Sequence, residues 1–198
     1  MPMQLDAEGW VVDPKVTKSP FPNLKHGTMA AIHGIIVHQT GSPSRDATFN
    51  SYREASPNGA HFLIDKNGDV YQTASVTWKL WHVGKLRPRC LVQHSCPATE
   101  MTLITGWRVA QVHEIERQKA FPDRFPMNGD SIGIEIVSDI IIGPKGTTFE
   151  PVTQAQNAAL DWMITGLKAL LRFPAIEIYR HPDVSFKNIH EAETATWH

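Results

Sequence analysis

The 198-residue chain has few cysteines, almost no net charge and no long apolar run. Its 19 basic and 20 acidic residues leave a net charge of −1. We therefore expect no electrostatic attraction for nucleic acid or for an anionic membrane surface. No apolar stretch approaches the roughly 20 residues that a helix needs to cross a bilayer. These absences favour a globular protein that binds neither nucleic acid nor membrane.

The amino terminus lacks the pattern of a secretion signal. Its first residues, MPMQLDAEGWVVDPKV, have neither a basic start nor the continuous apolar segment of a Sec signal peptide. We expect synthesis in the cytoplasm. Work in the periplasm or on the cell wall would then require delivery by another route.

Cys90 and Cys96 are the two cysteines of the chain. They can close a small disulfide loop in an oxidising compartment, or they can remain reduced. A zinc-binding pair is less expected, because zinc cysteines are usually separated by roughly two to four residues and this spacing is wider.

The apolar pattern predicts an α/β domain with a mixed central β-sheet flanked by helices. Strand-like segments are expected at 32–38, 61–64, 70–73, 131–139 and 175–181. Helical patterns are expected at 48–55 and 153–171, and Thr153 with Gln156 fits a capping box at the start of the second. The Asn-Gly pair in DKNGD predicts a tight turn between the second and third strands.

Two parts of the chain are less regular. Residues 1–31 are punctuated by proline and lysine, and we expect them to form an arm around a domain at 32–198. Residues at about 85–128 hold both cysteines and are interpreted as an insertion, with a helix at 109–119.

Several ionisable side chains stand on or beside strand-like segments, where a sheet can gather them on one surface: His38, His82, Glu135 and His181. A single histidine at a strand end is more often structural. A catalytic zinc needs three protein ligands and leaves one position for water. His38 and His181 can supply two, and the tail offers candidates for the third: Asp183, His190, Glu191 and Glu193.

Six segments, in their order along the chain, resemble the zinc-dependent N-acetylmuramoyl-L-alanine amidases. They are IIVHQTG, GAHFLIDKNGDVYQ, WHVGK, SIGIEIV, the glutamine-bearing long helix and YRHPDVSFKN. The resemblance covers roughly residues 32–193. It implies the fold of peptidoglycan recognition proteins, Zn²⁺ as cofactor, and peptidoglycan or muropeptides as substrate. The expected reaction is hydrolysis of the amide between N-acetylmuramic acid and L-alanine.

The resemblance also implies a metal site. His38 and His181 match the first two zinc ligands of the family. The third ligand follows a lysine that Lys187 matches, so Glu191 is expected in this role. The chain departs from the family here, because KNIHEAE replaces the usual Lys-x-Asp/Cys-Pro-Gly. His190 therefore remains the alternative third ligand.

Glu135 matches the catalytic acidic residue of the family. Its apolar neighbours in IGIEIV should raise the pKa of the carboxyl towards that of a general base. The alternative is a buried acid paired with a basic residue. Lys187 would stabilise the oxyanion of the reaction.

Three further residues are expected to contact the substrate. His61 and His82 match pocket histidines of the family, and Trp81 could stack on a sugar ring. Each of the three can instead be structural.

Other functions stay open on sequence alone. They are a peptidoglycan-binding module without catalysis, a metallopeptidase or deacetylase, and a cytosolic amidase that recycles anhydro-muropeptides. The long insertion and the cysteine pair favour a lytic amidase delivered without Sec, either an injected antibacterial effector or an endolysin. An effector would have a cognate inhibitor (immunity) protein as a second partner.

Overall fold

A mixed β-sheet forms the centre of the protein in the computed structural model, which describes residues 2–144, 146–172, 177–187 and 189–198. Within these residues the sheet has six strands: β1 (Val16–Lys18), β2 (Gly34–Gln39), β3 (Phe62–Ile64), β4 (Val70–Gln72), β5 (Ser131–Ile136) and β8 (Ile178–Arg180). The spatial order is β1-β4-β3-β5-β2-β8. β3 and β4 pair antiparallel, and the other neighbours pair parallel. The predicted α/β class with a mixed sheet is confirmed.

The helices of the described residues are α1 (Arg45–Ser51), α2 (Arg89–Val92), α3 (Ala98–Ile104), α4 (Val109–Glu116), α5 (Gln154–Leu171) and α6 (His181–Val184). A short 3₁₀ helix spans Pro22–Leu24. In the part of the chain that the structure describes, no helix has the length and apolar character of a membrane-crossing segment.

Helix α5 covers one face of the sheet. It begins at the predicted capping box, in which the Thr153 hydroxyl accepts from the Gln156 backbone N–H and the Gln156 side chain accepts from the Thr153 N–H. Its buried side chains join the core formed by one face of the strands: Leu160, Met163, Ile164 and Leu167. This packing fixes which strand residues point inwards.

The alternation of side chains along β2 and β5 then places His38 and Glu135 on the opposite face. Ile35 and Val37 of β2 belong to the core beneath α5, so His38 points the other way. In β5, the core takes Ile132, Ile134 and Ile136, which leaves Glu135 on the same face as His38. His38 and Glu135 are direct partners in the parallel register. Sheet register alone therefore makes them neighbours.

Part of the predicted arm, residues 1–31, contacts the central sheet. β1 adds a parallel edge strand next to β4. Gln72, which is fully buried, accepts from Val11 N–H at 2.7 Å and donates to the Gly9 carbonyl at 3.0 Å. Residues Val16–Lys18 thus form one edge of the sheet.

The insertion contains more structure than its sequence indicated. α4 confirms the helix expected near 109, whereas α2 and α3 were not predicted. Cys90 and Cys96 form a disulfide. The neighbouring Arg89 joins the insertion to the central sheet through a buried ion pair with Glu177, with 2.8 Å between Nη2 and Oε1.

Some element bounds differ from expectation. β5 ends at Ile136 rather than 139, and α1 begins earlier than expected because the Ser44 hydroxyl caps it. The strand expected at 175–181 is seen at Ile178–Arg180, and residues 175 and 176 lie outside the described residues. A second hairpin, β6 (Ile140–Gly143) with β7 (Gly146–Phe149), was missed. Its apolar run, Ile140 to Ile142, is exposed and so lacks the alternation that marks a half-buried strand.

Candidate active site and metal centre

His38, His181 and Glu191 meet beside the carboxyl ends of β2 and β8. The Nδ1 atoms of His38 and His181 lie 3.3 Å and 2.9 Å from the same atom, Oε1 of Glu191. The three side chains are buried, and their donor atoms all lie within 4.8 Å of one another. The structure thus brings together the trio expected from the sequence.

Hydrogen bonds at the Nε2 atoms of His38 and His181 fix how these two rings are oriented. His181 Nε2 lies 2.8 Å from the Val83 carbonyl, and His82 Nε2 lies 3.3 Å from the Ser131 carbonyl. Since a carbonyl oxygen only accepts, both Nε2 atoms carry a proton. His82 Nδ1 is then an acceptor, and it accepts a hydrogen bond from His38 Nε2–H at 3.1 Å.

This arrangement directs three electron-pair donors at one point. Without a cation between them, the lone pairs of His38 Nδ1 and His181 Nδ1 would repel the Glu191 carboxylate. A proton between these atoms would cancel part of the repulsion, and a divalent metal ion would cancel it fully. Two imidazole nitrogens and a carboxylate oxygen are a donor set that zinc accepts. The residues present therefore fit a zinc ion.

The protonation states suit the same interpretation. Burial, reinforced by the charge of His181, lowers the pKa of His38 to about 4, so this imidazole is neutral at pH 7. Burial alone would raise the pKa of Glu191. Hydrogen bonds and charge from His181 and His38 outweigh burial and lower that pKa to about 2. The site consequently offers a neutral ring and an ionised carboxylate without prior loss of a proton.

Glu135 lies beside this centre. Burial raises the pKa of its carboxyl to about 7, against the opposing effect of a hydrogen bond that the Tyr52 hydroxyl donates to Oε2. None of the ion pairs among the described residues involves Glu135, so the alternative of a structural acid–base pair finds no support. Its carboxyl can take up or release a proton near neutrality.

A solvent-accessible cavity of about 480 Å³ joins these groups. His38, Glu135, His181 and Glu191 line it, together with Lys187. Trp81, Ile140 and Phe149 are also in the lining. The Trp81 side chain is 41% exposed, and its ring stacks on His26 with 3.6 Å between ring centroids. The cavity therefore presents an aromatic surface next to the ionisable groups.

His82 lines the cavity but mainly supports His38. Burial lowers its pKa well below the usual histidine value, which keeps it neutral and able to accept from His38 Nε2. The ring lies close against β5, since a Cβ at Gly133 would approach His82 Nδ1 to 2.9 Å. Only glycine fits at that position without displacing the ring.

The expected substrate contact by His61 is corrected. The residue is fully buried and does not belong to the cavity lining. Its Nδ1 accepts from Gly133 N–H at 3.1 Å, and its Nε2 donates to the Trp78 carbonyl at 2.9 Å. With both nitrogens bonded to the backbone, His61 holds β5 against the preceding loop and plays a structural role.

His190 points away from the centre. Its Nδ1 lies 2.9 Å from Glu193 Oε2 at the surface, and the residue is not in the cavity lining. The geometry therefore favours Glu191 over His190 as the third ligand, an assignment that stays a prediction until metal is measured.

Sequence reasoning missed two residues near the centre. Tyr52 follows α1 and reaches Glu135 across 83 positions. Asn128 accepts from the N–H groups of His82 and Val83 at 3.0 and 2.8 Å. Neither residue lies in a recognisable motif, so no local signal could have identified them.

Comparison with known families decides the class of the protein. The family model described as N-acetylmuramoyl-L-alanine amidase matches residues 28–195. The chain belongs to this family. The resemblance read from the six segments is confirmed, and the amidase is an enzyme of that class. No curated protein sequence matches it significantly.

Solved structures share the fold of this amidase at low sequence identity. An AmpD structure is 20% identical, with a TM-score of 0.56, and the alignment covers 94% of this chain and 90% of AmpD. AmiD from E. coli is 16% identical with a TM-score of 0.55, covering 92% of this chain and 58% of AmiD. The endolysin LysCS from Clostridium intestinale URNW is 17% identical with a TM-score of 0.51, covering 89% and 86%.

The raised pKa of Glu135 predicts an unusual effect of Glu135→Gln on the metal-free amidase. The folded state holds this proton up to about pH 7, whereas the unfolded chain releases it near 4.5. The stabilising contribution of the protonated form is thus complete below pH 4.5 and lost as the pH rises through 7. At pH 8 the variant should be more stable than the wild type by on the order of 2–3 kcal/mol.

Urea unfolding between pH 4.5 and 8 measures this difference, which should shrink as the pH falls. Glu114→Gln, an exposed substitution on α4, is the control and should show no such trend. Equal stability of wild type and Glu135→Gln at pH 8 would contradict the burial of an ionised carboxylate.

Proposed function

We propose that this amidase hydrolyses the bond between N-acetylmuramic acid and L-alanine of peptidoglycan with a zinc ion held by His38, His181 and Glu191. The observation that carries the proposal is the convergence of three electron-pair donors beside a carboxyl that titrates near neutrality. A related structure supports the substrate class. AmiD from E. coli was solved with the substrate anhydro-N-acetylmuramic acid-L-Ala-D-γ-Glu-L-Lys.

Zinc, when bound, would supply Lewis acidity that polarises a carbonyl and makes water more acidic. Neighbouring groups hold the two imidazoles in the tautomers that a metal ligand needs. His82 donates to Ser131 and accepts from His38, so it keeps His38 in the tautomer whose Nδ1 lone pair faces the centre. The Val83 carbonyl does the same for His181.

Glu135 moves the proton. Its carboxylate takes a proton from the attacking water as the new bond to the lactyl carbonyl carbon forms. It returns that proton to the L-alanine nitrogen as the C–N bond breaks. The products are a muramic acid carboxylate and a free stem peptide. Tyr52 holds Oε2, which leaves Oε1 as the oxygen that exchanges the proton.

Two further residues act on the substrate. Lys187 lines the cavity and supplies positive charge to the oxyanion of the tetrahedral intermediate. Loss of one oxyanion partner typically slows an enzyme about 10²- to 10³-fold. Trp81, exposed in the same cavity and backed by His26, offers a flat surface for a sugar ring.

Purified sacculi test the reaction. Chelation should stop release of stem peptide, and zinc should restore it. Glu135→Gln should retain zinc but lose roughly 10²- to 10⁴-fold in turnover, because it cannot accept a proton. Glu114→Gln is the matched control and should keep wild-type turnover.

Each alternative function gives a different result in this assay. Binding of muropeptides by the zinc-loaded protein without release of peptide would indicate a recognition module. Products of another mass would indicate a peptidase or deacetylase. Near-normal turnover by Glu135→Gln would remove Glu135 from the mechanism.

We also propose that the amidase is lytic and acts in an oxidising periplasm or on the cell wall, as an injected effector or an endolysin. The disulfide between Cys90 and Cys96 supports this setting, because such bonds persist outside the reducing cytoplasm.

Expression in a Gram-negative host tests the setting. The amidase fused to a Sec signal should lyse the cells, whereas the cytoplasmic form and the exported Glu135→Gln variant should not. Rescue by a protein encoded beside the amidase would identify an effector with its inhibitor. An exported, folded enzyme that leaves cells intact but cleaves soluble anhydro-muropeptides would indicate a recycling enzyme instead.

A further inference from the structure

The turn that carries Glu191 has an unusual backbone. Ala192, the next residue, adopts the left-handed conformation with φ at 59°. That conformation is disfavoured for alanine, so surrounding contacts must hold it. The tail sequence KNIHEAE contains neither proline nor glycine to fix such a turn.

Two side chains form hydrogen bonds with the backbone of Ala192. Gln39 Oε1 accepts from its N–H at 2.8 Å, and Arg180 Nε donates to its carbonyl oxygen at 2.9 Å. Ala192 is fully buried, so neither backbone group has water as a substitute partner. Loss of the Gln39 side chain would leave the buried Ala192 N–H unsatisfied. The Ala192 carbonyl oxygen also accepts from Ala195 N–H at 3.1 Å, so it would keep one partner without Arg180.

The position of these two residues in the sequence is informative. Gln39 directly follows His38 on β2, and Arg180 directly precedes His181 at the end of β8. Gln39 and Arg180, each next to an expected zinc ligand, therefore both bind Ala192, which is next to the third expected ligand. Through Ala192, β2 and β8 are thus both connected to the turn that carries Glu191.

The side chains of Gln39 and Arg180 are each held by further contacts. Gln39 is buried, and its Nε2 donates to the Glu150 carbonyl at 2.9 Å. Arg180 donates from Nη2 to the Ala195 carbonyl at 2.8 Å, and its guanidinium lies 4.9 Å from the centroid of the Trp197 ring. Because each is held at a second point, movement of the Ala192 turn would disrupt several contacts at once.

We propose that Gln39 and Arg180 form a clamp on Ala192 that positions Glu191 as a metal ligand. They are positioning residues, since neither belongs to the group of potential ligands. The inference rests on the proposed zinc function. It assigns to this chain its own means of placing the third ligand where the family motif is absent.

The test compares zinc affinity in two matched variants. Gln39→Met keeps side-chain length but removes both hydrogen bonds. Gln72→Met is the control, because Gln72 is also a buried glutamine that binds two stretches of backbone, but it does so at the amino-terminal segment. Competition with a chromophoric chelator should show zinc binding weakened about 10- to 100-fold in Gln39→Met. Gln72→Met should bind like the wild type, although both variants lose stability.

A second measurement needs no metal. In the zinc-free protein, hydrogen exchange of the Ala192 amide should accelerate in Gln39→Met and not in Gln72→Met. Should Gln39→Met fail to fold, Arg180→Met tests the same clamp from the carbonyl side. It should weaken zinc binding in the same direction but less, because Ala195 N–H still bonds the Ala192 carbonyl oxygen.

The outcomes distinguish failure of the clamp proposal from failure of the proposed zinc-dependent function. Wild-type zinc affinity in a folded Gln39→Met, or unchanged exchange at Ala192, would overturn the clamp. Failure of the wild-type protein to bind zinc would overturn the proposed function, and the exchange measurement would still decide whether Gln39 holds the turn.

Discussion

The mutual approach of two imidazole nitrogens and one carboxylate oxygen is the constraint on which the site depends. These atoms repel one another unless a cation lies between them, and the rest of the structure keeps them together. The carbonyl of Val83 and the ring of His82 turn the histidines so that their Nδ1 atoms face inwards. The parallel strands β2 and β8 bring His38 and His181 to the same edge of the sheet. The fold thus creates an electrostatic repulsion that a divalent metal would relieve.

Burial then sets the protonation states around that centre. The same loss of water that lowers the pKa of His38 raises the pKa of Glu135. His38 is thereby kept as a neutral imidazole, and Glu135 is kept as a carboxyl with a pKa of about 7. Both lie on the face of the sheet opposite α5, where alternation along β2 and β5 leaves room for polar side chains. Burial therefore sets the protonation state of both His38 and Glu135.

Much of this arrangement could be predicted from the sequence, because apolar runs reveal the strands and the points at which they end. His38, Glu135 and His181 stood on or just beyond strand-like segments, and the hairpin turn at Asn67–Gly68 was visible in DKNGD. The roles of His61 and Tyr52 could not be predicted. A buried histidine bonded to backbone has the same sequence context as one that faces a cavity, and only tertiary packing brings Tyr52 to Glu135. The short strand β1 escaped notice because three residues carry no periodic signal.

The tail is where sequence reasoning was weakest and where the structure adds most. The family pattern is absent there, so Glu191 and His190 competed on the sequence alone; in the structure Glu191 turns inwards and His190 binds Glu193 at the surface. Zinc stoichiometry in Glu191→Ala and His190→Ala tests the account most directly. We predict that wild type and His190→Ala each bind one zinc per chain at this centre and that Glu191→Ala loses it. Retention of zinc by Glu191→Ala together with its loss in His190→Ala would contradict the account.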